Sequence, residues 1–220
     1  TGETAVEGTP ALRKALKDTN DRVRAKAAEA LGKIGEGAAE AVPGLVRALR
    51  DKDNWVSAMA AEALGEMGES ADDAIPALVR SLDHIIPQVR TNAAEAPGKM
   101  GETAAAAVPA LEKAARDEDA GVRAQAARAL GAVVRNAAEN RILLGAAEDA
   151  DPSARAAAVE ALGERAAASS GKAAGRKAGP PRGPQRSGAR ARPTTPWART
   201  AAWAQSARAP NSAGSRTARR

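Results

Sequence analysis

Cysteine, phenylalanine and tyrosine are absent from this 220-residue chain, and histidine occurs once. Those absences exclude a disulfide framework, a thiolate zinc site, a cysteine nucleophile and a tyrosine acid. Large aliphatic side chains are scarce as well. Alanine occurs 60 times, whereas Val, Ile, Leu and Met together number 33 and all lie within residues 1–168. No apolar run approaches the roughly 20 residues of a membrane span. No signal-peptide pattern opens the chain. The expectation is a protein with no membrane contact and an intracellular, cytoplasmic location.

Acidic residues are missing from residues 169–220, which carry 12 Lys and Arg, while residues 1–168 hold 27 acids against 21 bases. The net charge of +6 therefore averages two unlike regions. Residues 169–220 contain six Gly, six Pro and no aliphatic side chain larger than Ala. Such a segment cannot offset the entropy of ordering its backbone, so it is expected to be a disordered tail. Its arginines could neutralise phosphates while Trp197 and Trp203 stack on bases, which makes it a candidate polyanion or nucleic-acid tether. Blocks of like charge are more often simply solvated, and a GC-rich frame read out of register has the same composition.

Residues 1–168 repeat with a period of 33. Pro10, Pro43, Pro76 and Pro109 keep that spacing, as do Leu12, Leu45, Leu78 and Leu111, Val23, Val56, Val89 and Val122, and Gly32, Gly65, Gly98 and Gly131. A fifth unit arrives one residue early, with Leu143, Arg155, Leu162 and Gly163 at the equivalent places. The opening GETA matches residues 101–104, so residues 1–8 are expected to be the end of a truncated repeat in a cut or processed chain.

Each unit reads as two helices. Proline opens the first, where its missing N–H costs nothing, and leucines at i, i+4 mark one apolar face. Acidic turns (DTND, DKDN, DEDA, EDAD) supply caps for the second helix, whose stripe in unit one is Val23, Ala27, Leu31 and Ile34. Gly35, Gly68 and Gly101 then stop it. A pair of short helices with one stripe each cannot bury it alone, whereas stacked units can. The fold class is all-α: an α-solenoid of about five two-helix repeats starting near residues 10, 43, 76, 109 and 142, followed by the tail.

The period alone would also suit ankyrin or tetratricopeptide repeats. TPALRKA at 9–15 echoes the ankyrin pattern, but VPGLVRA, IPALVRS and VPALEKA lack its His, and no tetratricopeptide Trp–Gly–Tyr–Pro series occurs. What recurs is AVPALxxAL–D–(D/N)–xVRxxAAEALGxxGE. This pattern resembles the short HEAT-like repeats of the phycobilin-lyase type, over about residues 1–168. The resemblance implies a structural ladder between units, with Asp18, Asp51, Asp117 and Asp149 as acids and Arg24, Arg90, Arg123 and Arg155 as bases. Unit three departs most. His84 replaces the turn Asp, Ile85 and Ile86 make the turn apolar, and Pro97 replaces a helix Leu. Unit two carries Ser57 where Arg is expected. A proline inside a helix usually kinks it, so a local irregularity and a change of superhelix curvature are expected at Pro97.

Little in this pattern is chemistry. His84, the one possible triad base, stands at a turn position, and no Gly-rich phosphate loop is present. The acidic turns lie along a solvated ridge, which leaves at most a weak cation site. HEAT-like di-iron hydroxylases use paired His–Glu motifs, and this chain has none. No cofactor or metal is expected, and the chain is read as a non-enzyme: a scaffold that holds a protein or peptide on the concave surface, which second helices usually line in HEAT-like solenoids. Some relatives with such repeats attach or detach bilin chromophores as two-subunit assemblies, so the resemblance implies an alternative, an auxiliary subunit of a bilin lyase. Tethering through the basic tail is a further alternative.

Counting i, i+4, i+7, i+11 from Arg22 gives the row predicted to face solvent. It reads Arg22, Lys26, Glu29, Lys33 in unit one, Trp55, Met59, Glu62, Glu66 in unit two, and Gln88, Asn92, Glu95, Lys99 in unit three. Trp55, Met59, Arg22, Lys26, Gln88 and Asn92 are the candidate partner-binding residues, because Trp and Arg are common hot spots and Met adapts to irregular surfaces.

Overall fold

A computed structural model describes residues 7–133 and 140–177, and among these there is no strand. Five short first helices alternate with five longer second helices. The first helices are α1 (Thr9–Ala15), α3 (Val42–Ala48), α5 (Ile75–Ser81), α7 (Val108–Ala114) and α9 (Asn140–Ala146). The second helices are α2 (Asp21–Ile34), α4 (Asn54–Glu66), α6 (Pro87–Met100), α8 (Ala120–Val133) and α10 (Pro152–Lys177). Proline stands in the first turn of α1, α3, α5 and α7. The inter-helix turns cap the second helices through side chains: Asn20 accepts the Arg22 amide, Asp53 those of Trp55 and Val56, and Asp151 those of Ser153 and Ala154.

Glycine serves two unrelated purposes. Gly35, Gly68 and Gly101 take φ of 67°, 59° and 70°, left-handed geometry that an L side chain resists, and so end the second helices of units one to three. The chain then continues as 3-10 helix over Gly35–Ala41, Gly68–Ala74 and Gly101–Ala107, an element that helical periodicity did not reveal. Residues three apart eclipse in that geometry. Accordingly Ala38 and Ala41, Ala71 and Ala74, and Ala104 and Ala107 are all fully buried.

The other glycine series sets the distance between units. A Cβ added at Gly32 would lie 2.8 Å from the Ala63 Cα, at Gly65 2.9 Å from that of Ala96, and at Gly98 3.0 Å from that of Ala129. At Gly131 it would lie 2.6 Å from the Ala161 Cβ. Successive second helices therefore meet backbone to backbone, and the large aliphatics, Leu31, Leu45, Leu64, Leu78, Leu111 and Leu130 among them, fill the space behind this seam. Val56, Val89 and Val122 are fully buried, but Val23 is 40% exposed. Its helix has a described second helix on one side alone, so the expected stripe of unit one is covered at Ala27 and Leu31 and left open at Val23.

Two expectations are corrected. Helix α6 runs unbroken from Pro87 to Met100 with Pro97 buried inside it, so the irregularity expected there is absent. Pro97 is the fourth residue from the helix end, where it forfeits one ladder bond of its own, and the Gly101 amide still donates to its carbonyl. The expected boundary at residue 168 is also too early, since α10 continues through Lys177. Lys172, Ala173, Ala174 and Arg176 are good helix formers and carry the terminal helix past the last aliphatic side chain. Residues 1–6 of the expected truncated repeat, and residues 178–220 with Trp197, Trp203 and the remaining arginines, lie outside the described residues.

The seam makes a discriminating prediction. Gly65→Ala should destabilise the fold by about 1–3 kcal/mol, the usual cost of overpacking a filled contact. Gly163→Ala, at the fifth position of the same series but with nothing within 4 Å, should be neutral or stabilise by up to about 1 kcal/mol through helix propensity. Urea unfolding of the two variants beside the parent checks both signs.

Candidate functional site

Two sets of side chains stand out from the packing: the ladder at the inter-helix turns and the outer row of the second helices. Arg24 spans units one and two, its Nε donating to Asp51 Oδ2 at 2.8 Å and its Nη2 to Asp51 Oδ1 at 2.6 Å. Its Nη1 donates to the carbonyls of Asp18 and Thr19. Arg123 repeats the fork on Asp149 at 2.7 and 3.0 Å and binds the carbonyls of Asp117 and Glu118. Arg90 reaches Asp117 through Nη2 alone, at 2.7 Å, and its buried Nε has no partner. Arg155 donates to the carbonyls of Asp149 and Ala150 within its own unit. Each acid also closes its own turn: Asp18, Asp51, Asp117 and Asp149 accept the amide two residues on.

Burial alone would push the Asp51 and Asp117 carboxyls up, but their arginines and turn amides hold both below the ordinary carboxylate range. Arg123 and the Asp151 amide do the same for Asp149. These acids are thus fixed counter-ions, unsuited to proton transfer. Among the described residues no group of three or more His, Asp or Glu could hold a metal ion, and no helix is long and apolar enough to cross a membrane.

The ladder lacks one rung, between units two and three. The spacing that joins Arg24 to Asp51 would join position 57 to position 84, and both are substituted. Ser57 is fully buried and its hydroxyl donates to carbonyls of its own turn. His84 keeps half of the aspartate's work, its Nδ1 accepting the Ile86 amide at 3.1 Å. Removing one member alone would strand a buried charge, whereas removing both does not.

The outer row is less uniform than its spacing predicts. Arg22 and Lys26 are exposed, and Lys26 pairs with Glu29 at 2.6 Å. Trp55 is 57% exposed. Met59, one turn on, is 9% exposed and lies in the seam against α2. Gln88 is exposed and donates to Asn92, which is buried and donates across the seam to the Ala58 carbonyl at 3.0 Å. Met59 and Asn92 are therefore corrections to the predicted surface. The second position of the row faces the preceding second helix, and in α2, which no described second helix precedes, Lys26 stays in solvent.

Ion pairs bridge the rest of the row. Lys99 binds Glu66 of the preceding unit and Glu95 of its own, and Arg128 reaches Glu160 at 3.6 Å. Between these ridges the small seam residues leave clefts. One, of about 250 Å3, is lined by Glu29, Lys33, Met59, Glu62 and Glu66 above Gly32 and Ala63. Another, of about 420 Å3, lies among Glu95, Lys99, Gln125 and Arg128 above Gly98 and Ala129.

A family model described as HEAT repeats matches residues 9–96, 56–131 and 108–174. No curated protein matches the chain. Solved structures similar to it include the complex of CpcE and CpcF of phycocyanin lyase from Nostoc sp. PCC7120, at 28% identity and a TM-score of 0.55 over 74% of this chain and 68% of that one. An engineered protein is similar at 26% identity and 0.55 over 73% and 80%. A computationally designed armadillo repeat protein for modular peptide recognition shares the fold, at 21% identity and 0.56 over 70% and 80%.

The missing rung can be rebuilt. Ser57→Arg and His84→Asp should each destabilise by about 1–3 kcal/mol, and the double variant should recover at least about 1 kcal/mol of their sum. A double-mutant cycle in urea measures that coupling, and strict additivity would contradict the pairing. Titration offers a second check. Hydrogen bonds from Lys26 and Lys33 lower the Glu29 carboxyl from its ordinary 4.5 to about 2. Because the folded value is the lower one, the associated stabilisation is present above pH 4.5 and is lost as pH falls towards 2. Carboxyl NMR should find this midpoint, and Lys33→Ala should raise it.

Proposed function

The chain belongs to the HEAT-repeat family, and from that premise we propose that it is a non-enzymatic scaffold holding an extended stretch of a partner protein on the face of its second helices. Repeat folds of this kind are usually non-catalytic. The exposure of Trp55 carries the proposal. An indole 57% open to water beside charged residues gains most from a partner that covers it, and tryptophan is among the commonest binding hot spots. Arg22 opens the neighbouring helix at the equivalent position, one repeat away. The clefts at the Gly–Ala seams lie on the same face, between ridges whose exposed residues recur once per repeat. A peptide crossing successive second helices would meet an apolar anchor at Trp55 and then alternating Lys and Glu ridges that favour a segment bearing both charges.

The likeness to the CpcE–CpcF complex of phycocyanin lyase favours a second reading, in which the chain is the auxiliary subunit of a bilin lyase and its partner is a companion subunit. Fold alone does not carry that activity over, so it ranks second.

Peptides selected from a displayed library against the full chain test the scaffold. Trp55→Ala should leave stability within about 0.5 kcal/mol, since the side chain is largely in water. It should weaken the selected peptides by about tenfold or more, as for a hot-spot residue. Peptides that bind parent and variant equally would refute the Trp55 site.

A further inference from the structure

On the side of the first helices, the junction that lacks its ladder rung also lacks the acid–base pair that closes the next junction. A cleft of about 280 Å3 there is lined by Leu49, Arg50, Asp51, Ala77, Arg80, Ser81 and His84. One repeat later six of these seven positions, joined by Val79 and Arg116, line a cleft of about 190 Å3, and there Asp83 replaces Arg50, Lys113 replaces Arg80 and Asp117 replaces His84. In that later cleft Lys113 binds Asp83 at 2.7 Å, so acid and base close upon each other across the junction. Between units two and three both partners are arginine. Among the described residues neither Arg50 nor Arg80 has a carboxylate partner, and both are exposed. The one acid lining the cleft, Asp51, has both oxygens engaged by Arg24. The first junction likewise sets Lys17 and Arg47 at these positions, but Asp51 occupies the inner place that His84 takes here.

Two guanidinium groups facing one cleft, with the neighbouring carboxylate already neutralised, call for a counter-anion. His84 adds to the donors. Its Nδ1 accepts the Ile86 amide, so the ring proton sits on Nε2, which is free to donate. We propose that this cleft binds a phosphate group, with Arg50 and Arg80 forking onto its oxygens and His84 Nε2–H as a third donor. A dianion matches the two arginine charges, and the fixed fork of guanidinium suits tetrahedral oxyanions. The group could arrive as a free phosphate or on a phosphorylated side chain, and the chemistry of capture is the same. The site is distinct from the second-helix face and does not depend on a partner there.

The test is an NMR titration of the full chain with inorganic phosphate and, separately, with a phosphoserine peptide and its unphosphorylated form. The Ile86 amide and the His84 ring report occupancy of this cleft and ignore phosphate gathered elsewhere on the chain. Arg50→Asp is the informative variant, because it recreates the Asp83–Lys113 pair of the next junction and should fold. Saturable shifts in the parent, weakened about tenfold or more in Arg50→Asp and Arg80→Gln as loss of a charge-assisted contact requires, would support the site. A response to the phosphopeptide alone would assign the group to a polypeptide, and a response to both would assign free phosphate as sufficient. No saturable shift in either phosphate arm, an equal response to the unphosphorylated peptide, or undiminished binding by Arg50→Asp would overturn the proposal.

Discussion

The fold depends on second helices that touch backbone to backbone. At Gly32, Gly65, Gly98 and Gly131 there is no room for even one added methyl group, and the alanines opposite are the smallest side chains that keep helix propensity high. With so few large aliphatics available, a wider spacing would leave the leucines behind the seam unsupported. Close approach lets a chain rich in alanine still exclude water from its interior. It also explains why the period is kept so strictly. A glycine displaced by one residue would rotate off the seam and bring a Cβ into it.

The ladder is a second, polar fastening at the ends of the same helices, and its logic differs. Arg24, Arg90 and Arg123 each join two units through an acid and their own turn through carbonyls, so the charge is compensated on both sides. Such a rung is costly to halve and cheap to omit whole. The junction between units two and three shows the second case, with Ser57 and His84 standing where Arg and Asp stand elsewhere. His84 could replace aspartate because the local turn needs one acceptor, which Nδ1 supplies, while the inter-unit fork is no longer asked of it.

Most of the architecture was legible from periodicity: the helix pairs, the proline starts and the capped turns. What the spacing concealed has physical causes. The 3-10 segments carry their apolar side in alanines three apart, a signal too small to distinguish from the alanine around it. Pro97 looked disruptive because the general cost of a proline inside a helix was applied to it, whereas the helix runs on unbroken to Met100. Met59 and Asn92 shared a helical row with exposed residues, but a row on one helix ignores the neighbouring helix. Asn92 shows the outcome, its amide tied across the seam to the Ala58 carbonyl. Val23 errs in the opposite direction, apolar and yet open, because burial in a solenoid belongs to the junction and not to the residue.

That dependence on junctions also says where function belongs in such a molecule. Residues that recur in every unit are committed to the seam, the caps and the ladder, and cannot vary without loosening the stack. On the scaffold reading proposed above, binding resides where the repeat departs from itself. The departures cluster: Trp55 and Ser57 in unit two, His84 in unit three, and Arg50 facing Arg80 between them. One side of this junction presents an uncovered indole and the other an uncompensated pair of guanidinium groups. Trp55, Arg50 and Arg80 are all exposed, and the indole has no counterpart at the equivalent positions of the other units. Stacking thus accounts for what the units share, and on the proposed reading recognition accounts for what units two and three do not.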